Sequence, residues 1–198
     1  MFKKEIKMKA FSCALLLLFV CSAAYPQTED LGQGFYYSEE GGIIMAVNAS
    51  LAVIKPESPY VMFMAFMASK NHRFLEIYRD NVVMIYKGQE YKMPAVKELR
   101  DRYNGQNQDA SLYQHLGKES LVYSNMKFYR FPVEEDFFPN LGSGALLATN
   151  KGWISDYFGF KTRLYFKNPG FQKGDEVVFK VNDGKNPEII GQVAVILK

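Results

Sequence analysis

The chain has 198 residues, of which 48% are apolar and 23% charged, with 24 basic and 21 acidic side chains. The positive excess lies within the first 24 residues, which hold four lysines and one glutamate, so residues 25–198 carry 20 basic and 20 acidic side chains. This balance gives no compositional support for binding to nucleic acid, which would need a retained basic patch or stripe, or for attraction to an anionic membrane.

The first 24 residues have the three-part pattern of a secretory signal peptide. A lysine-rich head is followed by an apolar run over 10–20 and by small residues at 22–24, which provide a cleavage site after Ala24. As a helix, residues 10–24 would span about 22 Å, which is too short for a permanent span across roughly 30 Å of bilayer hydrocarbon. We therefore predict an exported protein, in the periplasm or at the surface of a bacterial cell.

Both cysteines, Cys13 and Cys21, belong to this leader. The exported chain would then contain no disulfide, no thiolate nucleophile and no thiolate metal site. Cys21 has an alternative role, because bacterial lipoproteins are cut before a cysteine that becomes acylated. Val20 stands where such signals usually carry a small residue, so ordinary cleavage is favoured. Membrane attachment is predicted only if Cys21 is acylated.

Short apolar runs separated by turn residues follow at intervals typical of antiparallel sandwiches and barrels. The polar segment 25–33 is predicted to be a loose lead-in. The glycines of 39–42 favour a hairpin, and Asp80-Asn81 favours a tight turn. Strands are predicted over 35–38, 43–47, 51–55, 60–69, 75–79, 82–86, 90–93, 122–124, 127–131, 145–149, 163–167, 177–181 and 192–197.

Two segments have a helical pattern instead. Residues 94–103 begin with proline and place Val96, Leu99 and Tyr103 on one face. Residues 109–116 form a shorter candidate, with Asp109 as the predicted cap and Gly117 as the terminator.

The run 60–69 is apolar on both of its alternating faces. Such a strand is normally buried on both sides, so we place it at the centre of a sheet with an inserted helix over its second face. Together these patterns predict a single, mainly β domain over 25–198. Its fold would be an antiparallel sandwich with one or two short helices, and in general look it resembles an immunoglobulin-like sandwich.

Patterns that carry chemistry are weak in this sequence. His72 and His115 belong to no metal-binding spacing, and Ser143 lacks the strand-turn-helix setting of a nucleophile elbow. The acidic cluster 134–136 is predicted to be solvated, because neighbouring carboxylates on a strand point to opposite faces. We therefore predict no catalytic, cofactor-binding or metal-binding residue, and no cofactor.

Aromatic side chains between two glycine-bearing segments form the candidate binding surface. Exposed rings on a sandwich edge could stack on sugars or bury against a partner protein, whereas the alternative is that they fill the core. The surface comprises Phe137, Phe138, Trp153, Tyr157, Phe158 and Phe160.

The predicted function is non-catalytic binding or envelope assembly through loops at one end of the sandwich. The partner would be an envelope protein or a glycan, and nucleic acid is excluded. One alternative is a carbohydrate-binding module. Another is a secreted hydrolase that uses paired carboxylates brought together by folding.

Cleavage of the leader is directly testable by intact-mass analysis of the exported protein. We expect the mass of a chain that starts at Tyr25, because the small residues before it suit signal peptidase. A chain that starts at an acylated Cys21 would contradict this prediction and would place the protein on a membrane.

Overall fold

The computed structural model describes residues 26–71, 73–131, 136–139 and 148–198. The predicted leader with Cys21, His72 and Ser143 lie outside the described residues, as does most of the predicted strand 145–149. Among the described helices, none combines the length and apolar composition that a membrane-crossing segment needs.

The described residues form eleven strands and four short helices. The strands are β1 (Glu29–Gly32), β2 (Phe35–Ser38), β3 (Ile43–Asn48), β4 (Tyr60–Ser69), β5 (Leu75–Tyr78), β6 (Val82–Tyr86), β7 (Gln89–Lys92), β8 (Lys151–Ile154), β9 (Phe160–Lys167), β10 (Glu176–Asn182) and β11 (Ile190–Ile196). The helices are α1 (Ser50–Ile54), α2 (Val96–Arg102), α3 (Gln106–Leu116) and α4 (Ser120–Asn125).

The strands form two main sheets and a separate ribbon. The five-stranded sheet has the order β1-β2-β3-β4-β9, and the four-stranded sheet has the order β11-β10-β6-β7. β5 and β8 pair only with each other. Every strand pairing is antiparallel. The predicted mainly β, antiparallel sandwich is confirmed, while the likeness to immunoglobulin-like domains stays a prediction.

β4 lies inside the five-stranded sheet, and all ten of its residues are buried. On one face, the centroid of the Phe63 ring lies 4.8 Å from that of the Phe179 ring on β10, in the other sheet. On the opposite face, the Phe66 ring meets Tyr123 of α4 at 6.2 Å and Phe131 at 5.4 Å. The two-sided burial predicted from the sequence is therefore confirmed, with helical segments over the second face.

The two sheets meet at a corner made of glycines. The predicted 39–42 hairpin joins the antiparallel neighbours β2 and β3, and Gly41 takes a φ of +83°. Gly41 also forms a bridge to Gly191, where a Cβ would lie only 2.5 Å from the backbone oxygen of Ile43. A side chain at position 191 would therefore push the sheets apart.

Two predicted strands are wrong, because they are helices. Residues 51–54 of the first lie in α1, where the Asn48 side chain accepts a hydrogen bond from the Ser50 amide at 3.1 Å and starts the turn. Residues 122–124 lie in α4, where Val122 is the only buried residue and faces the core. Tertiary packing overrides the strand preference of β-branched residues in both places.

Other boundaries also differ from the prediction. The lead-in contains β1, and residues 127–131 form only an isolated bridge at Arg130. Residues 79–81 form a 3₁₀ turn that sends β5 and β6 into different sheets instead of a hairpin. Asp109 lies inside α3 and does not cap it, whereas Gly117 ends that helix as predicted.

A buried polar cluster ties the helices to the five-stranded sheet. Lys55, after α1, donates to Asp109 at 2.5 Å and to the Tyr103 hydroxyl at 3.1 Å, and that hydroxyl donates to Asp109 at 2.7 Å. Burial opposes the charge of Lys55, but these hydrogen bonds raise its pKa and keep it an ammonium. Each member is therefore satisfied by the others.

The hydroxyl of Tyr165 lies beside this cluster without joining it. It is fully buried and has no hydrogen-bond partner among the described residues, as is also true of the side-chain nitrogen of Gln106. Burial, together with the Asp109 charge, raises the pKa of Tyr165 and keeps the phenol neutral. A buried hydroxyl without a partner costs stability, because it has lost its water.

Two matched hydroxyl deletions test the contrast between the bonded hydroxyl of Tyr103 and the unbonded hydroxyl of Tyr165. Tyr165→Phe should raise the free energy of unfolding by about 1 kcal/mol, since it removes an unpaired buried group. Tyr103→Phe should lower it by about 1–3 kcal/mol, since Asp109 and Lys55 lose a partner. Urea denaturation of both variants provides the measurement, and equal destabilisation by the two would contradict the assignment.

Candidate functional site

The structure divides the six residues of the predicted binding surface into two groups. Trp153, Tyr157 and Phe158 are exposed by 37%, 53% and 46%. The other three are fully buried and belong to the core, so their place in the predicted surface is corrected: Phe137, Phe138 and Phe160. Aromatic composition alone did not show which rings face inward.

The buried rings support the strand that carries Trp153. Phe160 on β9 packs beneath Gly152 of β8, where a Cβ would lie 2.5 Å from the Phe160 ring. Phe137 lies 6.1 Å from Phe160 between ring centroids, and Phe138 packs edge-on against Tyr165 at 5.4 Å. The missing side chain at position 152 therefore lets β8 lie directly on the core.

A tight turn joins β8 to β9 and carries the other two exposed rings. Ser155 and Phe158 exchange backbone hydrogen bonds of 2.9 and 2.7 Å, and Asp156 takes a φ of +49°. The amide of Arg130 donates to the carbonyl of Tyr157 at 2.8 Å, which holds the turn against the segment after α4. Tyr157 and Phe158 thus lie in the turn between β8 and β9, while Trp153 lies on β8.

The β5–β8 ribbon has one inward and one outward face. Glu76 pairs with Trp153 and Tyr78 pairs with Lys151, so these four side chains share the outward face. Glu76 is itself buried there, covered by the side chains around it. The alternate residues Leu75, Ile77 and Ile154 are buried on the inward face. The alternation of apolar and polar residues in β5 therefore determines what the ribbon presents.

A loop after β10 fixes the second edge of β5. The Glu76 amide donates to the Asp183 carboxylate at 2.7 Å, and the Gly184 amide donates to the Glu76 carbonyl at 2.8 Å. Asp183 also accepts from the Lys185 amide and from the backbone and side chain of Asn186, so four donors hold this buried carboxylate. The loop thereby brings Lys185 over the ribbon.

Two exposed rings lie side by side on this outward surface. Phe74, 54% exposed, lies 5.2 Å from Trp153 between centroids, with an angle of 41° between the rings. The Lys151 ammonium lies 3.9 Å from the centre of the Trp153 ring, and that of Lys185 lies 5.6 Å from Phe74. We define the aromatic platform as Phe74, Glu76, Tyr78, Lys151, Trp153 and Lys185.

Glu76 is the electrostatic centre of the aromatic platform. Its carboxylate lies 2.5 Å from the Lys185 ammonium and 3.4 Å from that of Lys151, and it accepts from the Tyr78 hydroxyl at 2.9 Å. The Lys185 hydrogen bond, Tyr78 and the Lys151 charge together hold the pKa of Glu76 below its usual value. In return, Glu76 raises the pKa of Lys185 and of Tyr78. The carboxylate thus fixes both lysines beside the rings.

Five of the six platform residues were missed by the sequence patterns, which identified only Trp153. The residues come from three segments, 74–78, 151–153 and 185, that only the fold brings together, since Glu76 and Lys151 are 75 positions apart. The one local signal was the alternation of β5, which places Glu76 and Tyr78 on the face opposite Leu75 and Ile77. Nothing local indicated that β8 was its partner.

Two other residues considered in the sequence analysis, His115 and Asp136, lie outside the aromatic platform. His115 is exposed on α3, with its Nδ1 atom 2.6 Å from the Ser111 carbonyl. Asp136, expected at a solvated surface, is buried and pairs with Arg163, so that expectation is corrected for this residue. In the described ranges, no group of three or more His, Cys, Asp or Glu side chains is placed to hold a metal ion.

Comparison of the chain with protein-family models, curated proteins and solved structures finds no match. The geometry of the aromatic platform therefore carries the functional argument.

The ion cluster predicts a pH dependence of stability. Because the pKa of Glu76 is lowered in the folded protein, its contribution is present above the usual value of 4.5 and is lost as the pH falls through the lowered pKa. Glu76→Gln should therefore be less stable than wild type near neutral pH. The difference should shrink as the pH falls from about 6 to about 3.

Urea denaturation at a series of pH values measures this difference. The matched control is Glu57→Gln, which alters an exposed carboxylate in the loop before β4 and should follow the wild-type curve. A Glu76→Gln deficit that stays constant down to low pH would contradict the role given to the ionised carboxylate.

Proposed function

We propose that the protein is an exported, non-catalytic binding protein and that the aromatic platform is its recognition surface. The observation that carries the proposal is the exposed Phe74–Trp153 pair, held on a ribbon whose strand β5 is bonded along both of its edges. The export part of the proposal rests on the signal-peptide pattern of residues 1–24.

Rigidity supports recognition at this surface. β5 is bonded to β8 on one edge and to the 183–184 loop on the other, and Gly152 seats β8 on the Phe160 ring. Rings held in this way lose little conformational freedom when a ligand covers them. Large aromatic side chains are also the residues that most often dominate binding energies.

The charges of the aromatic platform favour binding over acid catalysis. A hydrolase that uses paired carboxylates needs one of them protonated near neutral pH, which requires a raised pKa. Glu76 has the opposite shift, since two ammonium groups and a phenol stabilise its ionised form. Glu76 is therefore suited to hold Lys151 and Lys185 in place and not to donate a proton.

Alanine substitution tests the aromatic platform as the recognition surface. Trp153→Ala and Phe74→Ala should each reduce retention of solubilised cell-envelope glycan and protein on the immobilised protein by at least about tenfold. Phe128→Ala removes a ring that is 68% exposed on the segment after α4, and it should bind as wild type does. Tyr157→Ala shows whether the turn between β8 and β9 contributes.

Two outcomes would overturn the proposal. One is unchanged retention by both Trp153→Ala and Phe74→Ala, and the other is an equal loss in Phe128→Ala. Urea denaturation should show that the variants remain folded, so that a loss of binding reports on the surface and not on stability.

A further inference from the structure

We propose that the ligand of the aromatic platform is an uncharged saccharide, with a sugar ring stacked on Phe74 and Trp153. This inference rests on the proposed function and adds the chemical class of the ligand. It is carried by three properties of the surface, namely the ring geometry, the charge balance and the arrangement of hydrogen-bonding groups.

The two rings provide a stacking surface of the size of a sugar. Their centroids lie 5.2 Å apart, and their planes are inclined by 41°, so the two rings form an angled surface and not one flat face. Lys151 occupies one side of Trp153 at 3.9 Å, while Phe74 is more than half exposed. The electron-rich faces of aromatic rings attract the weakly positive C–H groups of a pyranose as they attract other positive edges.

The local charges cancel, which disfavours a polyanionic ligand. The two lysines, Lys151 and Lys185, are matched by Glu76, which contacts both, and by Asp183, which lies under the same loop. A site for nucleic acid, anionic lipid or a sulfated glycan needs several unmatched cations. Here the ammonium groups are already paired, so attraction over a distance is small.

The same groups suit hydroxyls at close range. A sugar hydroxyl both donates and accepts a hydrogen bond. The ammonium of Lys185 has three donors, and its side chain remains 63% exposed after contacting Glu76. The carboxylate of Glu76 is buried and already accepts from Tyr78 and both lysines, so it holds their donors in place beside the rings. The exposed ammonium of Lys185 is thus positioned to donate to sugar hydroxyls at the edge of Phe74.

The composition of the aromatic platform distinguishes it from a protein interface. The buried centre of a protein–protein interface is depleted in Lys and Glu. Here Lys151 lies directly on the Trp153 ring, and Glu76 pairs with Trp153 across the ribbon. A protein partner would have to bury these charges together with the rings, whereas a saccharide can hydrogen-bond to them.

The single tryptophan of the chain makes the experiment specific, because Trp153 is the only source of indole fluorescence. We expect neutral hexasaccharides of glucose, xylose, mannose or N-acetylglucosamine, titrated separately, to change this fluorescence saturably for at least one sugar. Phe74→Ala keeps the fluorophore and should weaken that binding at least about tenfold. Trp153→Ala removes the fluorophore, so its binding of the same sugar is measured by calorimetry.

The role of charge is tested with two lysine variants and at two salt concentrations. Lys185→Met should weaken binding of the neutral sugar several-fold, whereas Lys173→Met, in the exposed loop before β10, should not. Binding of an uncharged sugar should be the same at about 50 mM and about 500 mM NaCl, because no long-range attraction is screened.

Each remaining outcome decides against the inference in a different way. Preferential binding of dextran sulfate or polygalacturonate that is lost at high salt would overturn the uncharged ligand. Failure of every neutral sugar, with a protein partner still retained through Trp153, would overturn the saccharide and leave the proposed function standing. Failure of both sugars and envelope protein to depend on Trp153 would overturn the two together.

Discussion

The structure depends on the burial of β4 on both of its faces. Phe63 packs against Phe179 of the opposite sheet, and Phe66 packs against the helical segment on the other side. Burying each such ring contributes roughly 1.5–3 kcal/mol. Because one strand provides contacts to both layers, the second sheet and the helices are each positioned relative to the same ten residues.

The aromatic platform is positioned relative to that strand by β9 and the tight turn that precedes it. β9 pairs with β4 along its length, and the turn 155–158 then places β8 in the ribbon. Gly159 lies against the carbonyl of Met67, a contact that leaves no room for a side chain. Backbone proximity to the core, and not side-chain bulk, therefore aligns Trp153 with Phe74.

The sequence predicts the parts of this fold whose pattern is local. β4 and β10 were placed within a residue or two, because an apolar run on both faces and a strict alternation are visible in the residues themselves. α1 and α4 were predicted as strands, since their β-branched residues do not show that a neighbouring surface favours a helix. The candidate site was found only in part. Trp153 was identified as an aromatic residue, but its partners Phe74 and Lys185 depend on pairings that no local pattern encodes.

The bond between the Glu76 amide and Asp183 joins residues 107 positions apart in the chain. Closing so long a loop carries an entropic cost that the local pairing of β10 with β11 largely avoids. The outer edge of β5 is therefore complete only when residues 183–185 are in place. A chain shortened to end before Asp183 would lose the two loop bonds and the Lys185 side chain together.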